Sequence, residues 1–177
     1  MPTKDFSNDD YPPSTTEVDF QSIIGLAISP FEEDLSFLQR MFQDAGWKLL
    51  TAHKMAQAME ELSRERVAVV ICERNLIDGN WKDVLSDLAA IWNPPRLIVV
   101  SRLADDELWI EVLNMGGFDL LSAPFREVEV AHAVGSAVLD WAEQQIQFRK
   151  ERCPAPFRSK QTALGSDGCN SFEWDDT

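Results

Sequence analysis

Residues 67–79, Val67-Ala68-Val69-Val70-Ile71-Cys72-Glu73-Arg74-Asn75-Leu76-Ile77-Asp78-Gly79, decide how the chain folds. Val67 to Cys72 is a short apolar, β-branched run with no polar face, the pattern of a strand covered on both sides by helices. It stops on a charge, Glu73, and a turn-like segment closes on Asp78-Gly79. In an open parallel sheet, ligands and chemistry gather outside the carboxyl ends of the strands, and Glu73 stands at that edge of the expected central strand.

Similar units lie on either side. Ile23 to Ser29 reads as a first strand, and Ser29-Pro30 as the cap and start of a helix with Leu35, Leu38, Met41, Phe42 and Ala45 on one face. Glu32, Glu33 and Asp34 suit the positive end of its macrodipole, and Gly46 closes it. Trp47 to Ala52 is expected as an edge strand, followed by a helix carrying Met55, Met59 and Leu62. After Gly79, Trp81, Val84, Leu85, Leu88 and Trp92 recur at helical spacing until Asn93-Pro94-Pro95.

Arg96 to Ser101 is a fourth buried strand. Asp105-Asp106-Glu107 starts a fourth helix with Leu108, Trp109, Val112, Leu113 and Met115, ended by Gly116-Gly117. Phe118 to Ser122 is a fifth strand, and Arg126 to about Gln147 a last helix with Val130, Val134, Val138 and Trp141 on one stripe. Five β/α units with right-handed crossovers predict an α/β, doubly wound, five-stranded parallel sheet with helices on both faces.

The 177 residues are 45% hydrophobic and 26% charged, the balance of one globular domain. Residues 1–21, with Tyr11-Pro12-Pro13, are expected to be a disordered lead-in, residues 22–147 the domain, and residues 148–177 a disordered tail. In that tail, Arg149, Lys150, Arg152, Arg158 and Lys160 form a basic patch, and Phe172 or Trp174 offers a docking side chain. A net charge of -14 repels phosphates and so disfavours nucleic acid and anionic membranes. Cys72, Cys153 and Cys169 fit neither a zinc spacing nor a disulfide framework and read as thiols of a cytoplasmic protein. No signal peptide or membrane span is legible.

Four places together carry a family resemblance. They are an acid ending the third strand and followed by Leu76-Ile77-Asp78-Gly79, a hydroxyl ending the fourth (Ser101), the Ser122-Ala123-Pro124-Phe125 turn, and Ala45-Gly46-Trp47. Over about residues 21–147 the chain resembles the receiver domain of two-component response regulators. The resemblance implies a flavodoxin-like strand order 2-1-3-4-5. It also implies an aspartate that accepts a phosphoryl group, Mg²⁺ held by that aspartate and an acidic pair, and a lysine on the phosphoryl oxygens, the usual parts of phosphoryl transfer.

Against that pattern the chain departs at several positions together. Glu73 stands at the phosphoacceptor position, its extra methylene moving the carboxylate about 1.5 Å outward. Ser29 and Pro30 replace the acidic pair, Ala123 the lysine and Leu120 the usual aromatic, while Ser101 keeps the switch hydroxyl. The expectation is a pseudo-receiver without catalysis, cofactor or Mg²⁺, acting by protein contact in a phosphorelay. Glu73 either is a strand-end carboxylate, bonded to backbone N–H groups or paired with Arg74 or Arg102, or imitates a phosphorylated state, and then only in part, since a carboxylate carries less charge than a phosphoryl group.

Expected partners are a histidine kinase or another regulator, with a homodimer through helix 4, strand 5 and helix 5. Trp109, Ile110 and Leu113 then mark the contact surface, unless a tail or the last helix covers them. Two alternatives stand beside this reading. One is a residual phosphoacceptor at Glu73 or Asp78, with Mg²⁺ recruited through Glu32 or Glu33. The other is a small-molecule-binding flavodoxin-like domain, since fold alone does not fix function. His53 and His132 form no catalytic set, and Ser29-Pro30-Phe31 supplies no glycine-rich phosphate cradle.

Overall fold

The structure, a computed structural model, describes residues 23–152, with the backbone alone over 149–152. The elements are β1 (Ile24–Ile28), α1 (Glu32–Asp44), β2 (Lys48–Ala52), α2 (Met55–Arg64), β3 (Val69–Glu73), β4 (Asn75–Leu76), β5 (Gly79–Asn80), α3 (Trp81–Ala89), β6 (Arg96–Ser101), α4 (Asp106–Met115), β7 (Asp119–Ser122) and α5 (Glu127–Arg152). The five main strands pair in parallel in the order β2-β1-β3-β6-β7. That is the expected 2-1-3-4-5 order, with β6 and β7 as the fourth and fifth strands. The turn after Glu73 folds into the small antiparallel hairpin β4-β5.

β3 is buried at every position, and its side chains divide by parity. Val69 and Ile71 join the core under α1 and α5 with Leu38, Phe42, Ile98, Val134 and Trp141. Val70 and Cys72 join the core under α2, α3 and α4 with Leu26, Trp81, Leu88, Val99 and Val112. A strand with helices on both faces has no solvent side, so its sequence is apolar throughout.

Helix ends follow local chemistry. Asn80 caps α3 in a reciprocal box with Asp83, and Asp105 Oδ1 accepts from Leu108 N at 2.8 Å to cap α4. α4 closes on Gly116, whose φ of 99° is left-handed. Gly117 follows because a Cβ there would sit 2.5 Å from Val112 Cγ1.

Three boundaries differ from the sequence reading. Ser29 does not cap α1: the N-cap is Phe31, and Ser29 Oγ instead accepts from Phe31 N at 3.1 Å. α3 stops at Ala89 rather than reaching Trp92, because the chain tightens through Ile91 N donating to Leu88 O at 3.0 Å and turns at Asn93, whose φ is +62°. Trp92 consequently leaves the apolar stripe and is 71% exposed, with its ring against Phe148. α5 continues to Arg152, past the boundary expected at Gln147. Residues 1–21, most of the tail expected from 148, Cys153, Cys169, Phe172 and Trp174 lie outside the described residues. Among the described residues, no helix is long and apolar enough to cross a membrane.

Candidate functional site

The carboxyl ends of β1, β3 and β6 meet in one crevice. Glu73 is the last residue of β3 and pairs in register with Val100 of β6. Arg102 follows β6 directly, which lets its side chain lean back over the sheet edge. Its Nη1 donates to Glu73 Oε2 at 3.1 Å, and its Nη2 lies 3.3 Å from Asp34 Oδ1 and 3.1 Å from Asp34 Oδ2. The planar guanidinium thus bridges two carboxylates and spends separate N–H groups on each, a geometry a lysine cannot supply. The Phe31 ring covers its face, 3.7 Å from Cζ to the centroid.

Asp34 reaches this site because it shares the inward stripe of α1. It precedes Leu38 and Phe42 at intervals of four and is buried with them. Ser29 Oγ donates to Asp34 Oδ2 at 3.3 Å. Of the three acids expected merely to favour the start of α1, Asp34 therefore belongs to the crevice. Glu32, by contrast, faces outward with His53 Nε2 at 3.4 Å.

The remaining space is small. A cavity of about 10 Å³ lies among Ala27, Ile28, Leu38, Ile71, Val100 and Phe125 beside the two acids, about enough for one water. Burial pushes the Glu73 carboxyl above its usual range and the neighbouring Asp34 charge adds to this, while Arg102 and the Arg74 N–H pull the other way. A carboxyl with a raised folded pKa favours the folded state in acid, and that advantage disappears as pH rises from the ordinary carboxyl range through the raised value. The stability of E73Q relative to the parent is therefore expected to be greatest near neutrality and to fall on acidification. Urea unfolding across that range reads the difference.

The oxygens of Asp34 and Glu73 converge on a guanidinium that already supplies positive charge, whereas Mg²⁺ takes near-octahedral oxygen ligands. Among the described residues, no three His, Cys, Asp or Glu side chains are grouped to hold a metal ion.

The other sequence candidates are placed as follows. Ser29 and Ser101 are buried at the crevice, and Ser101 Oγ accepts from Leu103 N at 3.1 Å. Pro30 is part-buried and Ala123 is buried, with Ala123 N donating to Ser101 O at 3.1 Å. Cys72 lies inside the core with its thiol pKa raised by burial and by Glu73, as an unreactive side chain should be. Trp109, Ile110 and Leu113 are exposed on α4, away from the crevice, and Trp109 Nε1 donates to Asp119 Oδ1 at 3.1 Å.

Asp78 is engaged elsewhere. Its Oδ1 and Oδ2 accept from Met55 N at 2.9 Å and Ala56 N at 3.1 Å, capping α2, whose own N-cap residue Lys54 contributes no side-chain bond. These bonds, that from Met55 first, hold its pKa below the usual range. Asp78→Ala is expected to lower stability by about 1 kcal/mol at neutral pH. The loss should fade as pH drops through the depressed pKa, where the parent's carboxylate is protonated as well.

The family model for the response regulator receiver domain matches residues 32–135. No curated protein matches the sequence. Among solved structures, the signal receiver domain of an HD domain-containing protein from Pseudomonas fluorescens Pf-5 superimposes with a TM-score of 0.65 at 20% identity, over 73% of this chain and 96% of that one. A two-component response regulator from Clostridium difficile gives 0.59 at 19% identity, over 67% of this chain and 96% of that one. The beryllofluoride-activated NtrC4 receiver domain dimer gives 0.62 at 15% identity, over 67% and 98%. At these identities the structural likeness establishes the fold, whereas the family match rests on the sequence itself. A parallel sheet in the order β2-β1-β3-β6-β7, an acid at the end of its central strand and a family match over more than half of its residues together show that this chain belongs to the response regulator receiver domain family.

Proposed function

We propose that this receiver domain works in two-component signalling as a pseudo-receiver, passing its signal through protein contact and without accepting a phosphoryl group. The observation that supports this most is the Arg102 guanidinium between Asp34 and Glu73. A receiver that transfers phosphoryl groups needs a divalent cation there to neutralise charge in the transition state. Here a tethered cation occupies the acids, Ala123 supplies no positive charge at the lysine position, and the crevice has room for about one water. Glu73, already neutralised by Arg102, holds one fixed state of the pocket and imitates a phosphorylated one only in part.

Partners on this reading are a histidine kinase or another regulator in the cytoplasm. The exposed Trp109, Ile110 and Leu113 of α4 form the contact surface, and α4, β7 and α5 the homodimer face. The residual-phosphoacceptor alternative is weaker, because Glu73 is bonded to Arg102 and Asp78 caps α2. A small-molecule site above Glu73 lacks the several hundred Å³ such ligands need.

Incubation with acetyl phosphate and Mg²⁺, followed by intact-mass spectrometry, is the test. The expected spectrum is that of the unmodified chain. A stoichiometric phosphoryl adduct absent from Glu73→Ala would refute the reading.

A further inference from the structure

α4 buries only Leu108 and Val112. Two of its other apolar side chains, Ile110 and Met115, are 53% and 47% exposed. Glu107, Ile110, Glu111 and Asn114 recur at intervals of three and four, which sets them in one row along the helix, and Met115 extends that row. Apolar side chains grouped in the open and rimmed by charge mark a contact surface.

This row is one wall of a groove. A cavity of about 610 Å³ lies among Arg74, Asp105, Glu107, Ile110, Glu111 and Met115, in contrast to the crevice beside Glu73, which admits about one water. Trp109 stands apart from it, donating instead to Asp119 of β7.

Charge selects the occupant. Three acids line the groove against the single cation Arg74. Glu111 is paired with Lys82 and Asp105 caps α4, whereas Glu107 has no ionic partner among the described residues. A second copy docked on the same row by two-fold symmetry would set Glu107 and Glu111 against their own counterparts, a like-charge contact that disfavours it. The net charge of -14 repels any acidic partner as well. A helix carrying lysine or arginine beside an apolar stripe matches both the acids and the exposed apolar side chains, because a groove of this kind reads anchors three and four positions apart.

We infer that this groove takes a basic amphipathic helix of a partner protein, whose apolar side chains lie on Ile110 and Met115 and one of whose cations pairs with Glu107. The inference rests on the contact-based role proposed above and names the chemistry of that partner.

Titration of the full chain with a synthetic lysine–leucine amphipathic helix of about four turns, followed by NMR at the methyl groups of Ile110 and Met115, tests this. Saturable shifts of both methyls are expected. Glu107→Lys should raise the Kd about fivefold, and Ile110→Ser should raise it about tenfold, read at Met115. Asp44→Lys, the same charge reversal at the end of α1, should leave it unchanged. A scrambled peptide of the same composition but without an apolar stripe should bind the parent chain about tenfold more weakly, a comparison that needs no substitution in α4. No saturation through millimolar peptide, equal weakening by Glu107→Lys and Asp44→Lys, or equal binding of the scrambled peptide would overturn the inference. So would shifts confined to the Trp109 indole, which give the peptide to the β7 side of α4. A doubling of mass on sedimentation that Ile110→Ser abolishes would also overturn it, by giving the row to a second copy. None of these outcomes alters the acetyl phosphate result, so failure here and failure of the pseudo-receiver reading are told apart.

Discussion

Replacing Arg102 with alanine is expected to lower stability by about 2 kcal/mol at neutral pH, below the 3–5 kcal/mol for a fully buried pair because water reaches the guanidinium. The cause is the charge left behind more than the bonds removed. Glu73 and Asp34 are both buried and, without Arg102, face each other with only the weaker pull of Arg74 on Glu73. Two carboxylates so placed cannot both remain ionised cheaply, so the fold should take up a proton near neutrality. The variant's deficit should therefore shrink as pH falls, with the unfolded chain protonating its acids only at lower pH.

Companion variants separate charge from geometry. Arg102→Lys retains the charge but loses the fork, so it should recover only part of the stability. Combining Arg102→Ala with E73Q and Asp34→Asn should restore more than either acid substitution alone, because the three side chains form one network. Equilibrium unfolding at several pH values measures each step. Equal losses at all pH values would show that Arg102 acts through packing on Phe31 alone.

The largest loss is expected at Phe42. Its ring is 2% exposed, meets Trp47 edge-on at 5.9 Å between centroids, and lies so close to β1 that a Cβ at Gly25 would come within 2.3 Å of Cε1. Glycine at that strand position is thus the space the ring needs. Phe42→Ala should cost about 4 kcal/mol, transfer of the ring plus the cavity it leaves between α1 and the sheet. Gly25→Ala should cost about 2 kcal/mol by overpacking. Together with Phe42→Leu, Gly25→Ala should cost less than the sum of the two single changes, because the smaller side chain vacates the contested volume. Denaturant midpoints at constant m-value give the comparison, and strict additivity would contradict the packing described.

The sheet was legible because β3 and β6 are buried on both faces and their runs are interrupted only by charge or turn chemistry. Strand order followed from the resemblance together with the crossover rule. Asp34 was hidden by its neighbours: with Glu32 and Glu33 it reads as a macrodipole acid, although its spacing of four to Leu38 and of eight to Phe42 already put it on the inward stripe. Arg102 was legible as a possible partner of Glu73, but its second bond to Asp34, sixty-eight positions away, depends on the sheet register. Asp78 was read as a turn residue, and its capping of α2 is equally a product of tertiary structure. The α3 boundary failed for a local reason: Trp92 keeps the helical spacing after the backbone has already turned.

On the proposed reading, the Arg102 guanidinium held by Asp34 and Glu73 must be displaced before Mg²⁺ can bind, and this is the expected obstacle to the metal. Magnesium titration followed by NMR, observing the Arg102 side-chain N–H groups and the carboxyl carbons of Asp34 and Glu73, tests this directly. The resonances are expected to stay in place through millimolar Mg²⁺, with the guanidinium still bonded to both acids. Saturable shifts of both carboxyl carbons, with release of Arg102 at sub-millimolar Mg²⁺, would contradict it.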